Sequence, residues 1–556
     1  MVFVQNIRSG LISLVLGVSS VLLSSTVTAA ERIIFSFSPF GQFKIMVEDL
    51  EAFASEGEIS TELAYYLNRL PPKQLERLPE LFSTPLEVDP LTVSKFSNSS
   101  IGEAVIKNFG KGIRVDVRRN GFYALRGAII AAAFDDEGLT LMNFLHKFPL
   151  ETIHLDLKVL TQYLERRAKL SENRDTINQT WFTDNQRQDQ RAKNSRTELN
   201  QQLDHLKISG KYTWNKQTIT YRNPRRPKSG YFDLYQPIAE QSVPLVVISH
   251  GLASNRQTFA YLAKHLASHG FAVAVIEHDD ISLNKFDRFF SGKTRFPEPN
   301  NLIDQPLDVK YVLDRLEQES SIDTQQVGIV GQSFGGYTSL ALAGGELSPN
   351  FAATECQSEH YQDVLLDLSS LAQCTLNQLH KSRLMFRDSR IKAAIAINPM
   401  AKIFGQAGMS AIQIPTMMIS GTNDLIMPPV DEQIVPFSWL DDNLDKYLVL
   451  VKPATHFSFL QEGLGILPVP DAVVGPSPSD AHPALKAIST AFFQVHLNQQ
   501  EEYKTYLESD KSDEMTMLLL RLNQLSNDAF QFSIIRSLTK TQLQELFNHN
   551  QSHKAG

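Results

Sequence analysis

Five residues in the middle of the chain, Gly331-Gln332-Ser333-Phe334-Gly335, set a hydroxyl between glycines in a way that suits nucleophilic chemistry. A serine hydroxyl attacks poorly until a neighbouring base takes its proton. The G-x-S-x-G spacing alone is weak. With Gly and Ser each at about 7%, it should arise by chance roughly 0.2 times in a chain of this length. Context strengthens it. Val327 to Val330 reads as a strand, and Tyr337, Leu340 and Ala343 mark a small-residue helix. A sharp strand-to-helix turn would lift Ser333 above a sheet edge, with Gly331 and Gly335 relieving collision in the turn. The helix N-terminus would favour the negative charge that develops during attack.

The base and its orienting acid should follow in the order Ser, Asp or Glu, His. Asp424 lies in Gly421-Thr422-Asn423-Asp424, just past the apolar run Thr416 to Ser420. His456 lies in Pro453-Ala454-Thr455-His456, just past Tyr447 to Val451. Both stand at strand C-termini, where open α/β sheets place their sites. An Asp in a Gly-Thr-Asn-Asp turn is ordinary turn chemistry by itself. Three residues in order at three strand ends make Ser333, Asp424 and His456 the candidate triad. Glu277, Asp279 and Asp280 compete as carboxylates but precede Ser333. For the oxyanion, one donor would be the N–H of Phe334 and the second that of Leu252, in Ser249-His250-Gly251-Leu252. His250 would hold that loop. Such chemistry calls for neither a metal nor an organic cofactor.

The elements that must position these groups alternate. Tyr212 to Tyr221 and Gly230 to Tyr235 read as strands separated by turn-rich sequence. Val243 to Ile248 and Phe271 to Ile276 follow as continuous apolar strands around a helix near Phe259 to His269. Ile391 to Ile397 joins the strands already named. Apolar strands alternating with helices predict an α/β fold, a mostly parallel sheet covered on both faces. Two inserts interrupt it, Ile281 to Pro306 and a cap-like one over 346–390, where inserts tend to shape binding sites.

The segment SHGLASNRQTFAYLAKHLASHGFAVAVIEH (249–278) and the elbow GQSFGG resemble platelet-activating factor acetylhydrolases, over roughly residues 210 to 495. That resemblance implies the α/β-hydrolase fold and hydrolysis of a short acyl ester, such as one on a phospholipid. One departure matters. In the animal enzymes the acid follows the strand after the elbow helix, where this chain has Ile397-Asn398-Pro399. Asp424, one strand later, resembles the acid of dienelactone hydrolases and bacterial polyester hydrolases. The N-terminal region, from AERIIF to ETIHLDL, resembles an uncharacterised domain attached to such hydrolases in photosynthetic bacteria.

The chain has 556 residues, 42% of them hydrophobic, with a formal net charge of −8. That length suits several domains, and the charge argues against nucleic acid as a partner. Residues 1–30 read as a secretory signal: Arg8, an apolar run from Leu11 to Leu23, then Val27-Thr28-Ala29-Ala30. A retained membrane anchor is the competing reading. Export to the periplasm or beyond would allow a disulfide between the two cysteines, Cys356 and Cys374. Residues 31–162 read as a mainly helical domain, 163–209 as a polar linker or helix, 210–500 as the catalytic domain and 501–556 as a helical extension. The expected substrate is a small-molecule or lipid ester. A peptidase of the prolyl oligopeptidase type and an inactive hydrolase fold used for binding are the rival readings.

Overall fold

The computed structural model describes residues 29–554 except 38–40, 69–71, 189–204, 291–297, 462–473 and 508–521, and except parts of 349–382 and 523–528. The expected signal segment lies almost wholly outside these residues. The chain forms two compact units, Met1–Tyr163 and Leu164–Gly556.

The first unit is mainly helical, and Leu125 and Ala128 of the helix Phe122–Ala133 (α1) join Phe148 in a core of its own. It also contains a small sheet that hydrophobic periodicity did not suggest. Strands β1 (Arg32–Phe37), β2 (Gly41–Met46), β3 (Ile113–Arg114) and β4 (Thr152–Leu155) pair in the order β2-β1-β4-β3. β1 and β4 pair in parallel from opposite ends of the unit. Such long-range pairing leaves little local trace.

The second unit is built on nine strands: β5 (Trp214–Tyr221), β6 (Gly230–Pro237), β7 (Val243–Ser249), β8 (Ala272–Ile276), β9 (Ile322–Gln332), β12 (Ile391–Ile397), β13 (Thr416–Gly421), β14 (Lys446–Lys452) and β15 (Gln531–Ile535), with β10 (Glu346–Leu347) and β11 (Leu384–Met385) forming a separate ribbon. The order is β15-β14-β13-β12-β9-β7-β8-β6-β5. The six strands from β14 to β8 run parallel, and β15 and β6 join them antiparallel. Along β7, Leu245 and Val247 enter the core on one face while Val246 and Ile248 enter the core on the other. Burial on both faces explains why these strands read as unbroken apolar runs.

Two segments differ from expectation. The polar stretch after 163 continues a long helix, Leu157–Gln188 (α2), whose Ile177 and Phe182 are buried in the core of the second unit. A few apolar anchors spread through a charged sequence leave little periodic signal. The C-terminal segment, expected to be helical, contributes the edge strand β15 before its helix Lys540–Lys554. Phe532 and Ile535 are buried there against β14, so the sheet domain extends well past residue 500. Helices Ala260–Ser268 (α3) and Pro478–His496 (α5) pack into one core of this unit, and Phe334–Ala343 (α4) packs into the other. Among the described residues no helix is long and apolar enough to cross a membrane. Cys356 and Cys374 are bonded to each other.

Candidate active site

Ser333 caps α4 immediately after β9, with φ 58° and ψ −118°. A non-glycine residue held there costs about 1–3 kcal/mol and persists only where its surroundings enforce it. The enforcement is visible. Ser333 N–H donates to Ile397 O at 2.8 Å, and its carbonyl accepts from Tyr337 N–H at 3.0 Å. A Cβ on Gly331 would come within 2.0 Å of Gly335 O, and one on Gly335 within 2.0 Å of Ser249 O. Both positions therefore require glycine by sheer proximity. The N–H of Phe334, in the first turn of α4, has no intrahelical acceptor.

Asp424 and His456 are brought together. His456 Nδ1 donates to Asp424 Oδ2 at 2.7 Å, and the two residues are 6% and 3% exposed for His456 and Asp424 respectively. The other carboxylate oxygen accepts from the N–H groups of Ile426 and Met427, each at 2.8 Å. With Oδ1 occupied, the carboxylate has one orientation in which Oδ2 faces the imidazole. The loops carrying these residues are tied by Asn423 N–H to Ala454 O at 2.8 Å. Gln332 Nε2 donates to His456 O at 3.2 Å, joining the histidine loop to the residue before Ser333.

Asn398 completes that fastening. Fully buried at φ 43°, it accepts from Gly421 N–H at 2.8 Å and donates to Thr455 O at 3.2 Å. The strand end Ile397-Asn398-Pro399 thus holds an amide that bridges the Asp424 and His456 loops. An amide offers both a donor and an acceptor, which this bridge needs and a carboxylate could not supply.

The loop carrying Leu252 lies against the nucleophile. A Cβ on Gly251 would sit 3.0 Å from Ser333 Cβ and 2.7 Å from Gln332 Oε1. His250 holds this loop. Its Nε2 accepts from His278 N–H at 3.0 Å, so Nδ1 carries the proton and donates to Gly251 O at 2.9 Å. Burial, with His278 beside it, pushes the His250 pKa down to about 3, so the ring is neutral.

A second Ser–His–Asp chain, unnoticed in the sequence, lies beneath. Ser249 Oγ is 2.9 Å from His278 Nε2, and His278 Nδ1 is 3.2 Å from Asp308 Oδ2. Asp308 also accepts from Asn223 Nδ2 at 2.8 Å and from Arg226 at 2.7 Å. Its members are at most 1% exposed, which bars a substrate from Ser249 and makes the set a support for the β7 end. The residues are scattered from 223 to 308, so no local motif signals it. Of the competing carboxylates, Glu277 is engaged with Arg256 and Asp280 with Arg226.

Of the aromatic residues Phe334, Phe457 and Trp439, Phe334 belongs to the core on one face of the sheet and Phe457 to the core on the other. Trp439 packs against the same core as Phe334. A recess of about 210 Å³ adjoins Asp424, walled by Leu170 and Arg174 of α2 and by Leu425, Pro428 and Pro429. The 346–390 insert is anchored by Ser369 and Gln373, which donate to the buried Glu432 at 2.8 and 2.6 Å.

Three family models match separate stretches: alpha/beta hydrolase of unknown function over residues 29–156, platelet-activating factor acetylhydrolase, isoform II, over 228–295, and the prolyl oligopeptidase family over 300–460. The chain has the α/β-hydrolase fold. It resembles platelet-activating factor acetylhydrolases, and the first match falls on the small unit rather than on the nine-stranded sheet. Platelet-activating factor acetylhydrolase of Bos taurus is 27% identical over 140 residues, 18% of this chain and 31% of that protein. That of Canis lupus familiaris is 31% identical over 140 residues, 18% of this chain and 32% of its own. The matches thus span about a third of these relatives. At this low identity, the likeness of this chain to them supports a serine hydrolase.

Proposed function

We propose that the chain hydrolyses carboxylic esters through an acyl-enzyme formed on Ser333. His456 Nε2 takes the serine proton as Oγ attacks the ester carbonyl, and returns it to the leaving alcohol. Asp424 holds the imidazole tautomer and stabilises its charged form. The N–H groups of Phe334 and Leu252 donate to the oxyanion. Water then repeats the sequence to release the acid and free Ser333. The observation that carries this reading is the 2.7 Å His456–Asp424 hydrogen bond, at the strand ends next to an elbow whose serine is held at φ 58°. The likeness to acetylhydrolases favours short acyl chains, including those on phospholipids, as the substrate class.

The match to the prolyl oligopeptidase family spans all three candidate catalytic residues and favours amide cleavage as the second reading. The test is a substrate panel on one preparation: p-nitrophenyl esters of graded chain length, phospholipids acetylated at the middle carbon, and proline-containing peptide anilides. Ester hydrolysis falling off with chain length, with inert anilides, is expected. Anilide cleavage with feeble ester turnover would replace the esterase reading by the peptidase one.

A further inference from the structure

The N–H of Leu252, the second oxyanion donor of the proposed reaction, has no acceptor among the described residues. No bond of its own aims it, so its direction is set by what holds the residues on either side. The loop is not in a relaxed conformation. Ala253, the next residue, sits at φ 56°, in the left-handed region that side chains rarely adopt. Such a conformation persists only where the surroundings enforce it.

The enforcement comes from one segment, residues 278–283, just past β8. Before Leu252, His278 N–H donates to His250 Nε2 at 3.0 Å, and His278 Nε2 accepts from Ser249 Oγ at 2.9 Å. After Leu252, Ala253 N–H donates to Ile281 O at 2.8 Å, and Leu283 N–H donates to Ser254 O at 3.1 Å. Leu252 is therefore suspended between two clamps that belong to the same segment.

That segment is fixed in turn by Arg226, which lies in the turn between β5 and β6. Its Nη1 donates to Asp280, while Nε and Nη2 donate to the two oxygens of Asp308 at 3.2 and 2.7 Å. Asp308, 1% exposed in the helix Asn301–Leu316, accepts from His278 Nδ1 at 3.2 Å. Its carboxylate faces four donors in all: Asn223 Nδ2, Arg226 Nε and Nη2, and His278 Nδ1. An ionised carboxylate accepts from every one of them, whereas an amide would turn its NH2 against a donor. One guanidinium thus grips the segment at Asp280 directly and at His278 through Asp308.

We infer that Arg226 and Asp308 are positioning residues for the oxyanion hole, aiming the Leu252 N–H through His278 and the segment 278–283. The inference rests on the esterase reading above, in which that N–H meets the substrate oxygen. A donor of this kind is valuable because it is fixed before charge develops, so the holders of the loop govern the rate without touching substrate. Turnover then depends on a turn between two early strands of the sheet domain, far along the chain from Ser333, Asp424 and His456.

The test compares the full wild-type chain with Asp308→Asn and with the double variant Arg226→Gln/Asp308→Asn, which removes both members of the buried pair. Hydrogen exchange read by mass spectrometry follows the peptide 249–256, with the elbow peptide 327–343 as control. Exchange over 249–256 should quicken by about tenfold in both variants and stay unchanged over the elbow. Hydrolysis of a short p-nitrophenyl ester is measured per active site, counted by end-point fluorophosphonate labelling. The kcat per site should fall by about 10–100-fold, part of the 10²–10³ that a lost oxyanion donor costs. KM should stay within about twofold, since the bond is made only in the transition state. A purely structural pair would lower the thermal midpoint and the number of active sites but leave kcat per site unchanged, and that result would overturn the inference. Unchanged exchange over 249–256 would overturn it as well. A wild-type chain without ester turnover would instead sink the esterase reading, and the exchange comparison would still decide whether Arg226 and Asp308 hold the loop.

Discussion

Asp424→Asn exchanges one carboxylate oxygen for an NH2 group, and the hydrogen bonds around the site determine its effect. Oδ1 accepts from Ile426 and Met427 N–H, and Oδ2 accepts from His456 Nδ1–H. If the asparagine oxygen stays on the two N–H groups, its NH2 faces His456 and donates. The ring must then turn its Nδ1 lone pair inward and carry its proton on Nε2, where it cannot take one from Ser333. If the amide flips, NH2 opposes two buried N–H donors, at about 1–3 kcal/mol for each left unsatisfied. The first arrangement costs less in stability and is lethal to proton transfer. In serine proteases the same exchange lowers kcat about 10⁴-fold, or about 5 kcal/mol in barrier. Steady-state hydrolysis of a short p-nitrophenyl ester measures it, with a thermal midpoint as the control for folding. Near-normal kcat in Asp424→Asn, together with collapse in Asp279→Asn or Asp280→Asn, would refute the placement of the acid and reopen that of His456.

Asn398→Ala should act mainly on stability. It strands Gly421 N–H and Thr455 O in the interior, about 1–3 kcal/mol each, while turnover per folded molecule falls by about tenfold or less; denaturant midpoints beside kcat separate the two effects. The fold should be acid-sensitive through His250 and His265, both buried with pKa pushed down to about 3. In the unfolded chain they bind protons near pH 6.5, so stability falls as pH drops from about 6.5 toward 3, by ~1.4 kcal/mol per pH unit for each ring. Unfolding midpoints at pH 7 and pH 5 should differ accordingly, and His265→Gln should flatten the slope. Expressed in a host with a secretory pathway, the chain should be cleaved near Ala30 or Glu31 and lack free thiols, and closing a loop of 18 residues should stabilise the insert by about 3 kcal/mol. Intact mass before and after reduction and alkylation checks the terminus and the pairing, and Cys356→Ser checks the stability.

The sequence makes legible the features that local patterning controls. Strands buried on both faces, such as Val243 to Ile248, announce themselves as apolar runs, and chain order then nominates Asp424 and His456 at their ends. The elbow is legible because Gly331 and Gly335 lie within two residues of the serine they frame. The features that escaped depend on distance along the chain. Asn398 reads as an ordinary strand end until its amide is seen between Gly421 and Thr455. The Ser249–His278–Asp308 support unites three residues with no common motif. β15 joins an edge more than 70 residues upstream, and β1 pairs β4 across more than 110. The polar surface of α2 concealed anchors such as Ile177 and Phe182 that hold it to the sheet domain.

The central claim is that Ser333 is the nucleophile, and labelling with a fluorophosphonate probe followed by peptide mapping tests it most directly. The alternative is concrete, because Ser249 has its own histidine and aspartate but is sealed from solvent. The predicted result is a single adduct on Ser333 in the wild-type chain. Ser333→Ala should then show no adduct and a loss of kcat on the order of 10⁶-fold, with its thermal midpoint retained. An adduct on Ser249 or any other serine, with esterase activity surviving in Ser333→Ala, would contradict it.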